Sequence, residues 1–120
     1  MLNFLARQFY VSGSLRNTDS GWQVQAQNPM GNGTLVGVGK MRVDGRDIPP
    51  EAVTAQRDGE AETIQAQDVS RTRPVSVFKG DRVTLAVAGE PLAPGEHKLD
   101  IELFELNLGR LSFTITDRIG

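Results

Sequence analysis

Apolar residues recurring at every second position are the feature that most constrains this chain. A strand sends consecutive side chains to opposite faces, whereas a helix needs a repeat near 3.6 residues. In Trp22-Gln23-Val24-Gln25-Ala26-Gln27 the apolar residues are all even and the glutamines all odd. Arg82-Val83-Thr84-Leu85-Ala86-Val87 places its larger apolar residues at odd numbers. Arg110 to Thr116 does the same, with hydroxyls on the other face. Each reads as a half-buried strand with one face on a core. The expected inward set is Trp22, Val24, Val83, Leu85, Val87, Leu99, Ile101, Leu103, Leu111, Phe113 and Ile115.

Two runs depart from clean alternation. From His97 the inward parity holds through Leu99, Ile101 and Leu103, and then Phe104, Leu106 and Leu108 take the opposite parity. A bulge or a change of sheet near Leu103-Phe104 is the expected cause. Residues 33–43 are apolar but contain Gly37 and Gly39, which predicts a kinked strand or a close approach by a neighbour.

Turn chemistry separates these runs. Asp44-Gly45 suits a type I′ hairpin, whose two central residues both need positive φ. Asp58-Gly59, Lys79-Gly80-Asp81, Leu92-Ala93-Pro94-Gly95-Glu96 and Asn107-Leu108-Gly109 are further turns. Strands this short, between turns about 8–14 residues apart, predict an all-β antiparallel sandwich, jelly-roll or immunoglobulin-like, with residues 1–120 as one domain. Pro49-Pro50-Glu51-Ala52-Val53 is the one expected helix start, a single turn long. Residues 60–73 are polar, with Ile64, Ala66 and Val69 as their few apolar members, and predict an edge strand followed by a mobile loop. No internal repeat or low-complexity stretch is visible.

Composition narrows the function. The 120 residues include no cysteine, which removes disulfides, thiolate metal sites and cysteine nucleophiles and favours a reducing compartment. Lys+Arg of 13 against Asp+Glu of 15 leaves a net charge of -2 with both signs scattered, so no basic stripe waits for nucleic acid. No run has the length of a membrane span, and Met-Leu-Asn-Phe-Leu-Ala-Arg lacks the order of a secretory leader. A cytoplasmic protein is expected.

Candidate chemistry is sparse. His97 is the single histidine; it follows a Pro-Gly turn, opens a strand and is expected to be partly exposed, without a catalytic role. Asp44, Asp47 and Glu51, and likewise Glu60 and Glu62, flank turns where carboxylates normally cap amides rather than bind metal. Gly31-Asn32-Gly33 and Gly37-Val38-Gly39 are followed by no helix that could cradle a phosphate. No catalytic, cofactor or metal residue is therefore assigned. The connection Asn28 to Leu35 joins an adaptable methionine to small residues, and Asn28, Pro29, Met30, Asn32, Thr34 and Leu35 are the candidate partner-binding residues. The N-terminal run Leu2, Phe4, Leu5, Phe9, Tyr10 and Val11 is either core or a strand that adds to a partner.

Gly13 to Thr18 with Gly21-Trp22, the loop from Asn28 to Leu35, Val43-Asp44-Gly45 with Ile48-Pro49-Pro50, and Leu92 to His97 form an ordered series. That series resembles the small β-subunit domain of bacterial C-glycoside deglycosidases over residues 9–117. The resemblance implies a non-catalytic subunit that assembles with a larger TIM-barrel, sugar-isomerase-like subunit. That partner would hold a divalent metal such as manganese and cleave the carbon–carbon bond of 3-oxo-C-glycosides. The alternative is a free-standing immunoglobulin-like binding module for protein or carbohydrate. One Trp, one Tyr and five Phe leave few aromatics for a sugar platform once a core is filled. A small enzyme acting alone conflicts with the lone histidine. Self-association into a homo-oligomer is left open.

Overall fold

The computed structural model describes residues 7–120. Ten strands make up the described chain: β1 (Arg16–Thr18), β2 (Gly21–Gln27), β3 (Gly33–Val43), β4 (Arg46–Asp47), β5 (Val53–Arg57), β6 (Ile64–Gln65), β7 (Val75–Val77), β8 (Arg82–Ala88), β9 (Gly95–Glu105) and β10 (Gly109–Ile119). They form two antiparallel sheets, ordered β1-β2-β8-β5-β6 and β10-β9-β3-β4, with β7 also paired to β3. The architecture is an all-β sandwich. One-turn 3-10 helices occupy Arg7–Phe9, Pro50–Ala52 and Ala66–Asp68.

Alternation fixes which faces meet. Trp22 and Val24 on β2 and Val83, Leu85 and Val87 on β8 point from the first sheet toward Leu99, Ile101, Leu103, Leu111, Phe113 and Ile115 on the second. All eleven of these expected core residues are buried. Burying a Val, Leu, Ile or Phe side chain is worth about 1.5–3 kcal/mol, so this interlayer dominates the driving force for folding. The Asp44-Gly45 hairpin forms with φ of 52° and 81° at its two central residues and pairs Val43 with Arg46.

The irregularity near Leu103-Phe104 is resolved differently from expectation. β9 pairs with β10 without interruption from Gly95 to Glu105, and the bulges lie instead in β3, between Leu35 and Gly37 and between Val38 and Met41. The glycines explain the position. A Cβ on Gly37 would lie 3.1 Å from Cδ2 of Phe104, and one on Gly39 would lie 2.1 Å from Oε1 of Glu102. Phe104 therefore covers Gly37 on the outer face, while Leu106 and Leu108 stand in the exposed turn after the strand.

Three further expectations are corrected or bounded. His97 is buried at 9% exposure rather than partly exposed, because it shares the inward parity of Leu99 and Ile101. β6 is an edge strand as expected, but the segment after it is anchored: Ala66 and Val69 enter the core, and Ser70 and Arg73 exchange main-chain hydrogen bonds at 3.2 Å. Of the N-terminal run, Phe9 and Tyr10 are core, while Leu2, Phe4 and Leu5 lie outside the described residues. Asp117 near the end of β10 fastens this segment, accepting from the Tyr10 hydroxyl at 2.6 Å and from the amides of Gly13 and Leu15 at 3.0 and 3.3 Å.

Candidate functional site

Three connections meet at one end of the sandwich: the β2–β3 loop (residues 28–32), the β7–β8 turn (residues 78–81) and the β9–β10 turn (residues 106–108). Asn28 ties the first two together. Its amide donates to the Asp81 carbonyl at 3.1 Å and its carbonyl accepts from the Gly80 amide at 2.8 Å. Its side-chain Nδ2 donates to the Val77 carbonyl at 2.8 Å and to the Gly31 carbonyl, while Oδ1 accepts from the Met30 amide at 3.1 Å. Every polar group of this buried residue is thus used inside the chain.

Glu105 ties in the third connection. One carboxylate oxygen accepts from the Thr34 amide at 2.9 Å, and the other accepts from the Asn107 and Leu108 amides, each at 2.8 Å. Burial alone would raise its pKa, but the Thr34, Leu108 and Asn107 amides favour the charged form and hold it below the usual carboxylate value.

These ties frame an apolar cavity of about 280 Å³ that opens between the sheets. Leu35, Val77, Val83, Leu85, Leu103 and Leu111 form its walls, and Met30 and Leu108 stand at its mouth. Met30 is 54% exposed, and the other large hydrophobic residues that are exposed, Phe78, Leu106 and Leu108, all sit on the same three connections. The Arg57 guanidinium lies over the Phe78 ring, 5.7 Å from its centroid, while Met30, Leu106 and Leu108 stand open to solvent at this end.

The six candidate residues divide accordingly. Met30 and Asn32 are exposed, Pro29 and Thr34 are half-buried, and Asn28 and Leu35 face inward as frame and wall. The sequence reading missed Phe78, Leu106, Leu108 and Glu105. Leu106 and Leu108 carried a usable signal, since both flank or occupy the Asn107-Leu108-Gly109 turn and the alternation of faces ends where the strand ends.

The opposite end holds a second polar cluster. His97 Nδ1 lies 2.7 Å from Asp44 Oδ2, and Nε2 lies 2.7 Å from the Ala93 carbonyl. Both partners are hydrogen-bond acceptors, an arrangement that favours the doubly protonated ring. The Ala93 carbonyl first, then Asp44, raises the pKa of His97, while burial opposes them. Both ring nitrogens are thus engaged by partners within the chain, the Asp44 carboxylate and the Ala93 carbonyl. Among the described residues no group of three His, Cys, Asp or Glu could hold a metal ion, and no helix is long and apolar enough to cross a membrane.

Fold and site together define an all-β domain whose distinguishing feature is an apolar, loop-framed end. A family model described as hydroxymethylglutaryl-CoA reductase, N-terminal domain, matches residues 5–120. The chain belongs to this family. No curated protein matches it. The family match corrects the resemblance to C-glycoside deglycosidase β-subunits. The motifs behind that resemblance were turns with adjoining strand edges, and Asp-Gly and Pro-Gly turns at such spacing serve any antiparallel sandwich. The barrel partner, its divalent metal and its carbon–carbon lyase chemistry rested on that resemblance and lose the argument that carried them.

Proposed function

We propose that this chain is a non-catalytic domain that docks onto a larger catalytic protein through its apolar end. The single observation that carries the reading is the grouping of Met30, Phe78, Leu106 and Leu108 on the three connections that frame the cavity. An unbranched methionine beside a small cavity suits the insertion of one apolar side chain from a partner. The family description supplies the first partner to test, the catalytic portion of a hydroxymethylglutaryl-CoA reductase.

Calorimetric titration of the chain against that catalytic portion tests the proposal. Binding should be weakened at least about tenfold by Met30→Asp combined with Leu108→Asp, because the complex would bury unpaired carboxylates. Both positions are exposed in the free domain, so its fold should survive. Unchanged affinity in the double variant, or efficient turnover by the isolated chain, would reject the reading.

The cavity also favours a second reading, a module that takes a small apolar molecule. Its volume lies just below the usual range for ligand pockets, about 300–1,000 Å³. Saturable uptake of a small apolar ligand by the chain alone, blocked by Leu103→Trp at the cavity wall, would support this alternative.

A further inference from the structure

The second sheet ends on an unusual edge. Every other terminal strand of either sheet is three residues or shorter: β1, β6, β4 and β7. The part of β2 beyond β1 is covered by the Tyr10–Ala26 bridge, by the bond from the Val11 amide to the Gln25 carbonyl, and by Ser14 Oγ on the Gln25 amide. Among the described strands β10 alone presents eleven residues at an edge, with no proline or bulge and with its charges, Arg110, Asp117 and Arg118, confined to its two ends. Natural edges are normally blunted by such devices.

Which groups face outward follows from β9. The Lys98 carbonyl accepts from the Asp44 amide at 2.8 Å, and the Leu106 amide donates to the Thr34 carbonyl at 2.9 Å. Even-numbered residues of β9 therefore bond toward β3, and odd-numbered ones toward β10. Their β10 partners Leu111, Phe113, Ile115 and Asp117 spend their main-chain groups on β9. Arg110, Ser112, Thr114, Thr116 and Arg118 are left pointing away from the sheet. The Arg118 amide is capped by its neighbour Asp117 Oδ1 at 2.8 Å. No described residue bonds the outward groups of the other four.

We propose that this edge pairs with β10 of a second copy, antiparallel across a two-fold axis. In such a ladder outward residues must oppose outward residues. A register centred on Phe113 sets Ser112 of one copy against Thr114 of the other and Arg110 against Thr116. Short hydroxyl side chains then meet, and no like charges face each other. The register centred on Thr114 opposes Arg110 to Arg118 and is disfavoured. Arg110 already has Glu102 at 3.6 Å, so the edge offers little bare positive charge to an acidic peptide. Its chemistry fits its own copy better.

Residue-resolved amide exchange on the whole chain at rising concentration, paired with sedimentation equilibrium, tests this. The Leu111, Phe113 and Ile115 amides should be protected at every concentration. Those of Ser112, Thr114 and Thr116 should slow by about tenfold or more as a dimer forms. Thr116→Lys should weaken the dimer by opposing Arg110, and Thr116→Glu should tighten it. Thr114→Pro should abolish it by removing an outward N–H while sparing the bonds to β9. A monomer at hundreds of micromolar with unprotected even-numbered amides overturns the proposal. So does protection independent of concentration, which would mean that the chain covers its own edge, and so does an equal response to Thr116→Lys and Thr116→Glu.

Discussion

Fifty-three residues separate Asp44 from His97, yet the carboxylate of one and the imidazole of the other lie 2.7 Å apart. The type I′ hairpin places Asp44 beside the start of β9, and the Lys98 amide fixes its second oxygen at 2.9 Å. Folding thus raises the pKa of His97, through the Ala93 carbonyl and Asp44, and lowers that of Asp44, through His97 and the Lys98 amide. The histidine contributes stability that is complete below its unfolded value of about 6.5 and is lost as pH rises through the raised folded value. The aspartate contributes stability that is complete above about 3.9 and is lost as pH falls through the depressed value. The pair therefore stabilises most between these limits. Urea midpoints should fall between about pH 6 and about pH 9 in the native chain and change less in His97→Gln. Equal slopes in the two proteins would remove His97 from this role.

Asn28→Ala should strip the Val77 and Gly31 carbonyls of their donor and leave the Met30 amide without its acceptor. Buried groups left unpaired cost about 1–3 kcal/mol, so a loss of that size is expected in chemical denaturation. Partner binding at the apolar end should fall as well, because Met30 loses the hydrogen bond that positions its backbone. Wild-type stability in this variant would show that other contacts hold the loop.

Gly21 is the glycine least able to accept a side chain. A Cβ there would lie 1.9 Å from the Val87 carbonyl oxygen, a main-chain atom of the paired strand that cannot swing away. Gly21→Ala should separate the β2 and β8 ends and cost at least about 1–3 kcal/mol, the usual range for overpacking. Gly59→Ala, where nothing lies within 4 Å and only φ of 90° resists, serves as the comparison and should cost less. Reversal of that order in thermal melts would argue against the packing at the start of β2.

Trp22, at 3% exposure in the interlayer, should cost about 3–5 kcal/mol when replaced by alanine, through lost transfer energy and the cavity left behind. A loss below about 1 kcal/mol would mean that the core collapses around the gap.

Strand identity was readable because it is local: Trp22, Val24 and Leu85 each announce their face by the parity of their neighbours. Burial of His97 was not readable, since the carboxylate that makes it tolerable arrives from another hairpin. The bulges in β3 were half-legible. Gly37 and Gly39 marked a close approach, but only the register against Phe104 and Glu102 shows which strand yields. At the candidate site the sequence singled out Met30 from its setting. Leu106 and Leu108 went unassigned because a parity argument was carried past the end of a strand, and Phe78 because its turn is joined to Met30 only through Asn28.

The clasp on Asp117 bears on how the chain folds as it is made. Tyr10, Gly13 and Leu15 reach it across sequence separations of 107, 104 and 102 residues. During synthesis the segment before β1 can pair with β2 early, through Tyr10, Val11 and Ser14, but its Asp117 anchor arrives only when β10 leaves the ribosome. Contacts this distant also slow the search for the native state, because loop closure is paid before the contacts reward it. The Tyr10 ring, 6.4 Å between centroids from Phe113, therefore completes its packing only after β10 is made.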